Sequence, residues 1–336
     1  MTSEISRRQL LARLGAAPAA GAMGLAAFQA HGLEEIQLAA RLHGNDAADA
    51  LTMPTHTYPS WARLEDLKDK VPKTKLGNLE VSRMIFGGNL IGGWAHARDL
   101  IYASDLIKAY HHRDKVFETL RLAEACGINT ILTSPTLCDV ITDYWEHGGG
   151  KIQFISDLGG SGPLPERIEY SIDHGAVACY VHGGLADNLA ARGDFDPIAD
   201  ALERIRRAGQ PAGIGAHAQA TVQGCADRGI IPDFWMKTLH HHNYWSARPD
   251  EPYAGNNWCM EPEATIAFMK EREEPWLAFK VLAAGALRPE DGFRYAFENG
   301  ADFICVGMYD FQVVEDVNIL LDVLQSDLDR QRAWFA

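Results

Sequence analysis

Four short apolar runs in this chain each end on a side chain able to hold a metal ion. Residues 152–155 lead to Asp157, 178–181 to His182, 212–216 to His217 and 234–239 to His240. Neutral imidazole together with carboxylate is a donor set for a divalent ion such as Zn, Mn, Fe, Co or Ni. Brought into one place, Asp157, His182, His217 and His240 would form a metal site. A second chemical candidate is Lys280, in the apolar run Ala278-Phe279-Lys280-Val281. Burial would lower its pKa and fit it to act as a base, as a Schiff-base amine or as a donor to an oxyanion. Its alternative is an ammonium paired with a carboxylate, Asp157 or Asp310. His240, His241 and His242 form a triplet; alternation along a strand sends His240 and His242 one way and His241 the other. His240 is then the expected ligand and His242 a catalytic or substrate-contacting group.

The spacing of these residues dictates the elements that must position them. The successive intervals between Asp157, His182, His217 and His240 are 25, 35 and 23 residues, each enough for one strand-helix unit. Strands are expected at 83–86, 130–132, 152–155, 178–181, 213–216, 234–238, 276–281 and 303–306. Helices are expected around 115–125, 138–145, 165–174, 197–208, 218–228, 263–271, 289–298 and 313–324. Glycines 127, 175, 209, 229 and 300 sit where helices would hand over to strands, as C-caps. Eight such units predict a closed α/β (β/α)8 barrel, a TIM barrel, with its chemistry at the C-terminal ends of the strands. No GxGxxG follows the first strand, which argues against an open dinucleotide-binding sheet.

Two segments exceed ordinary loop length, 87–114 and 243–262. Both are rich in aromatics and amides, and both follow barrel strands, so they are expected to cover the mouth. Trp94, Asn243, Tyr244 and Trp258 are the expected substrate contacts. Tryptophan and tyrosine against the apolar face of a sugar, with asparagine on its hydroxyls, would suit a carbohydrate; local packing of a long loop is the other account.

The chain has 336 residues, 47% of them hydrophobic, which suffices for one large domain with an N-terminal appendage. A net charge of −14 with no Lys/Arg block argues against a nucleic-acid partner. The six cysteines are scattered singly and read as buried free thiols. Residues 31–74 read as an extended lead-in punctuated by Pro54, Pro59 and Pro72, and residues 75–336 as the barrel.

Ser6-Arg7-Arg8-Gln9-Leu10-Leu11 before an Ala/Gly-rich stretch resembles a twin-arginine export signal covering residues 1–30. The resemblance implies passage through the twin-arginine translocation machinery to the periplasm or the extracellular space. No later run approaches the ~18 apolar residues of a transmembrane helix.

Lys75-Leu-Gly-Asn-Leu-Glu-Val-Ser-Arg-Met-Ile-Phe-Gly-Gly88 resembles the opening hairpin and first strand of the aldo/keto reductases. Residues 125–130 are similar to that family's second strand, and 307–318 to its last phosphate-binding turn and helix. The family's catalytic residues are Asp, Tyr, Lys and His. Here the resemblance places Leu132 at the Asp position, Leu137 at the Tyr position and Asp157 at or beside the Lys position, and keeps only the His, as His182. Leucine can neither donate the proton nor tune its donor. The expectation is therefore a reductase-like fold with other chemistry. It would be an exported metal-dependent enzyme moving protons on a sugar-like or hydroxy-carbonyl small molecule, as an isomerase, epimerase, lyase or hydrolase. The alternatives are an NADP-dependent reductase with a rearranged site, for which NADP is the weaker cofactor expectation, and a noncatalytic exported ligand-binding barrel.

Overall fold

The computed structural model describes residues 60–94, 101–251 and 256–336. The export signal and most of the lead-in lie outside them. The chain divides into two compact units, and Ser60–His242 with Arg248–Ala336 forms the larger. Of the smaller unit, only Asn243–Ala247 is described, a turn in which the Ala247 N–H donates to the Tyr244 carbonyl at 3.0 Å.

The larger unit is a closed barrel of eight parallel strands. A hairpin precedes it, β1 (Lys73–Leu76) and β2 (Leu79–Ser82), joined by Gly77-Asn78. Gly77 has φ +60°, as a two-residue hairpin turn demands. The barrel strands are β3 (Met84–Gly87), β4 (Thr130–Thr133), β5 (Gln153–Ser156), β6 (Ala176–Val181), β7 (Ala212–Ala216), β8 (Phe234–Thr238), β9 (Trp276–Phe279) and β10 (Phe303–Val306). They pair in chain order, and β10 closes onto β3. The helices are α1 (Ile101–Tyr110), α2 (Arg113–Ala125), α3 (Cys138–His147), α4 (Leu164–Asp173), α5 (Gly183–Ala191), α6 (Asp196–Arg207), α7 (Gln219–Ala226), α8 (Pro262–Lys270), α9 (Pro289–Glu298) and α10 (Asp310–Gln325). No helix among the described residues is long and apolar enough to cross a membrane.

Each expected strand is present within two residues of its expected limits. Two helices were not expected: α1, inside the segment read as a loop, and α5, which starts on Gly183-Gly184 directly after His182. The hairpin begins at Lys73, and Val71 is already in the core, so the barrel unit takes in the end of the expected lead-in.

The side-chain period of two sorts each strand into two cores. Phe86, Ile131, Phe154, Cys179, Ile214, Trp235, Ala278 and Ile304 face the helices. Ile85, Leu132, Ile155, Tyr180, Phe234, Met236, Leu277 and Phe303 fill the barrel interior, floored by Leu76 and Val81 of the hairpin. This packed interior is what a (β/α)8 barrel requires, and it leaves space only above it, at the C-terminal mouth. Leu132, at the position matched to the reductase Asp, is one of these packing residues.

Interior space is rationed by glycine on β7. A Cβ on Gly215 would lie 2.8 Å from the Gly183 nitrogen, the Val181 carbonyl and the Tyr180 ring. Two of those are backbone and cannot yield cheaply. Gly215→Ala is therefore expected to destabilise the fold by about 1–3 kcal/mol. A urea denaturation curve with an unchanged midpoint would contradict the close approach.

Candidate active site

Alternation continues past the strand ends and aims Ser134, Asp157, His182 and His217 into the mouth. On one side Ser134, Asp157 and His182 line a cavity of about 640 Å³, together with residues that include Asn89, Trp94 and Arg167. That volume suits a small molecule. Trp94 is one of the residues on the wall of this cavity.

Asp157 is buried, and one of its oxygens accepts the Gly159 N–H at 2.6 Å. Burial pushes its pKa up, and the opposing influence of His182 and of the Gly159 N–H does not cancel it. A carboxyl of this kind keeps its proton to higher pH and can donate it. The next strand supplies His182, whose Nδ1 accepts the Gly184 N–H at 3.2 Å as the N-cap of α5. Since Nδ1 accepts, the proton of the neutral ring is on Nε2.

His217 has the opposite tautomer. Its Nδ1 lies 2.8 Å from the Asp187 carboxylate of α5, which also accepts from the His217 and Ala218 backbone nitrogens and the Thr221 hydroxyl. Burial tends to raise the Asp187 pKa, but these hydrogen bonds hold it below the usual range. An ionised Asp187 fixes the ring proton on Nδ1 and leaves Nε2 as an acceptor. Burial, aided by the nearby Lys280 charge, brings the His217 pKa down to about 4.

Lys280 follows β9, which ends at Phe279, rather than lying inside the strand as expected. It has φ +58°, a left-handed conformation costing a non-glycine residue about 1–3 kcal/mol. The turn brings its ammonium to the Asn256 side-chain oxygen at 2.6 Å and the Asn257 carbonyl at 2.8 Å. It pairs with neither Asp157 nor Asp310. Burial lowers its pKa to about 7, with Asp187 in partial opposition. In the neutral form both amine protons are used by those two oxygens, and the lone pair is left over. The Asn256 side-chain nitrogen is buried without a partner among the described residues.

The expected metal centre is not assembled. Among the described residues, no three His, Cys, Asp or Glu side chains are placed to share an ion. His240 is the clearest departure: its Nε2 accepts the Cys259 N–H at 3.0 Å and its Nδ1 lies 3.1 Å from the His241 carbonyl, so neither nitrogen is left to bind metal. His217 has Nδ1 held by Asp187 and keeps Nε2 as an acceptor. The Nε2 of His242 donates to the Cys259 carbonyl at 2.6 Å. His241 packs edge-on against Tyr295. Trp258 is buried edge-on to His240 and is absent from the cavity wall. The triplet and Trp258 therefore brace the long loop before α8. Asn243 and Tyr244 belong to the smaller unit.

At the turn resembling a phosphate-binding site, the first residue of α10 is Asp310. Its carboxylate accepts from the Tyr110 hydroxyl and, at 2.9 Å, from Lys115. Burial opposes its ionisation, but these two partners outweigh it and lower its pKa. The helix terminus thus presents a negative charge where a phosphate would need a positive one.

No family model and no curated protein matches this chain. Its likeness is to solved structures. A protein from Pseudomonas aeruginosa assigned as an aldo-keto reductase superposes with TM-score 0.51 at 18% identity, over 77% of this chain and 99% of that one. A second structure of that description from the same organism gives 0.51 at 17%, over 77% and 98%. The chain therefore has the TIM-barrel fold of these aldo-keto reductase neighbours, as its opening hairpin and first strand suggested.

Proposed function

We propose that this chain is an enzyme that transfers protons on a hydroxy-carbonyl small molecule, as an isomerase, epimerase or lyase. The observation that carries the reading is the pairing, on one cavity wall, of a buried carboxyl with raised pKa, Asp157, and an imidazole with its Nε2–H free, His182. In the barrel order β5 and β9 are four strands apart out of eight, so Asp157 and Lys280 leave opposite sides of the mouth. The neutral Lys280 amine takes the proton from the carbon next to a carbonyl. Asp157 gives its proton to the carbonyl oxygen as the enediol forms, and His182 donates a hydrogen bond to that oxygen. The Lys280 ammonium returns its proton to the neighbouring carbon while the second enediol hydroxyl gives its proton back to Asp157, which isomerises the substrate. Reprotonation of the first carbon from the other face, with the enediol hydroxyl returning its proton to Asp157, epimerises it. A β-hydroxyl that leaves with the Lys280 proton eliminates water. Each group contributes a factor of about 10²–10⁴ in reactions of this type.

This route needs neither a hydride carrier nor an ion held by the four residues first singled out. Dialysis against EDTA should leave turnover unchanged; loss of turnover restored by a divalent metal would return the metal reading. The function itself is tested by incubating the protein in D2O with aldoses, ketoses and sugar acids and following C–H signals by NMR. Exchange that disappears in Asp157→Asn supports the proposal. Consumption of NADPH with a simple aldehyde, without exchange, would contradict it and favour a reductase. Carbohydrate as the substrate class and an extracytoplasmic location, which rests on the N-terminal motif, are parts of the same proposal.

A further inference from the structure

The cavity beside Asp157 contains a cation that no described side chain neutralises. Arg167 lies in the first turn of α4, and its guanidinium forms one wall. One terminal nitrogen donates to the carbonyls of Leu158, at 2.5 Å, and Gly160, at 3.2 Å. These neutral acceptors fix the plane of the group. They belong to a loop that is itself constrained, with Leu158 at φ +50° and Gly160 at φ +110°. The Leu158 N–H is held by the Ser156 hydroxyl at 3.2 Å. Nε is buried with no partner. The other terminal nitrogen has no hydrogen bond in the described structure, and Arg167 makes no ion pair. Asp157 is the carboxyl whose charge it senses, and burial discourages that charge.

A half-buried guanidinium without a counter-charge is electrostatically incomplete. With Nε buried, the second terminal nitrogen is the unused position left to meet an oxygen of a carboxylate, and the guanidinium supplies the opposite charge. Beside Asp157 and His182, the wall carries the polar side chains of Asn89, Ser134, Thr136 and Asn188, with Trp94 and Leu185 as its apolar surface. Such a wall suits hydroxyl groups.

We propose that Arg167 is a carboxylate subsite, and that the substrate of this cavity is a polyhydroxylated acid, a sugar acid rather than a neutral sugar. The inference deepens the proton-transfer reading, which supplies the chemistry at Asp157, but its test is one of binding alone. Affinities of the full chain are measured by calorimetry for D-glucuronate, D-galacturonate and D-gluconate, each against its neutral counterpart, D-glucose, D-galactose or D-glucitol. At least one acid should bind about tenfold or more tighter than its counterpart, a difference of ~1.4 kcal/mol. Arg167→Gln, which retains a donor for the loop carbonyls, should abolish that preference. Arg167→Lys should keep part of it, since it keeps the charge but not the planar group held by the loop carbonyls. Equal affinity for acids and neutral sugars, absence of binding by any acid, or a preference that survives Arg167→Gln would overturn the proposal. So would tighter binding of glucose 6-phosphate than of every acid. An acid that binds through Arg167 yet shows no exchange in D2O would leave the subsite standing and remove the proton-transfer reading.

Discussion

Lys280→Met should lower turnover about 10²–10⁴-fold while the protein remains folded. The methionine fills much the same volume but cannot accept a proton, and the oxygens of Asn256 and Asn257 lose their donor. In wild type, the rate should rise as pH passes through about 7, because the working form of Lys280 is the free amine. Lys280→Arg keeps a positive charge at all accessible pH, so it should be as inactive as the methionine variant and show no rise near neutrality. The same shift has a consequence for stability. Between about 7 in the folded chain and 10.5 in the unfolded one, the unfolded state binds the extra proton. Stability from this group is therefore present above the unfolded value and is lost as pH falls through that window. Lys280→Met should flatten that part of the stability profile. A variant with wild-type turnover would show that the buried amine only holds the Asn256–Asn257 loop.

The largest effect on stability is expected at the opposite end of the barrel. Arg332→Ala should destabilise the fold by about 3–5 kcal/mol. The guanidinium is 1% exposed and lies 2.7 Å from Asp302, which is 0% exposed. It also donates to the carbonyls of Arg272, Glu274 and Gly300. Asp302 in turn accepts the backbone N–H groups of Trp276 and Phe335. Trp276 begins β9, and Asp302 immediately precedes β10, so the pair ties the N-terminal ends of two strands to the segment after α10. Removing the arginine leaves a buried carboxylate with Arg330 only at 4.0 Å. Replacing both partners, Arg332→Met with Asp302→Leu, should recover much of the loss, since the cost lies in the unpaired charge. Urea denaturation of the three proteins would read this out; a double variant as unstable as Arg332→Ala would show that the carbonyl contacts dominate.

The fold was legible because its signals are repeated. Short apolar runs, helices ending on glycine and strand-end polar residues recur along the chain, and each recurrence constrains the others. Parity along a strand then put Asp157, His182 and His217 at the mouth. What parity does not encode is which neighbour each ring nitrogen meets. Asp187, which commits His217 to one tautomer, is on α5, five residues after His182, and nothing in its local sequence marks it. Arg167 is ten residues beyond Asp157, in a helix whose pattern reads as a solvated face. The histidine triplet looked like a ligand source, yet the backbone of the long loop uses two of its rings as braces. The expected strand runs through Lys280, whereas β9 ends at Phe279. The left-handed turn that redirects its amine has no signal in the tetrapeptide Ala278-Phe279-Lys280-Val281.

The account stands on a carboxyl that holds its proton in the cavity, and that property can be measured directly. Aspartate carboxyl carbons labelled with 13C are titrated by NMR in wild type and in Asp157→Asn. The signal missing from the variant should titrate above the ordinary value of 3.8, because burial outweighs His182 and the Gly159 N–H. A midpoint for Asp157 at or below 3.8 would mean an ionised carboxylate at working pH. Such a group cannot donate the proton assigned to it, and that result would contradict the central claim.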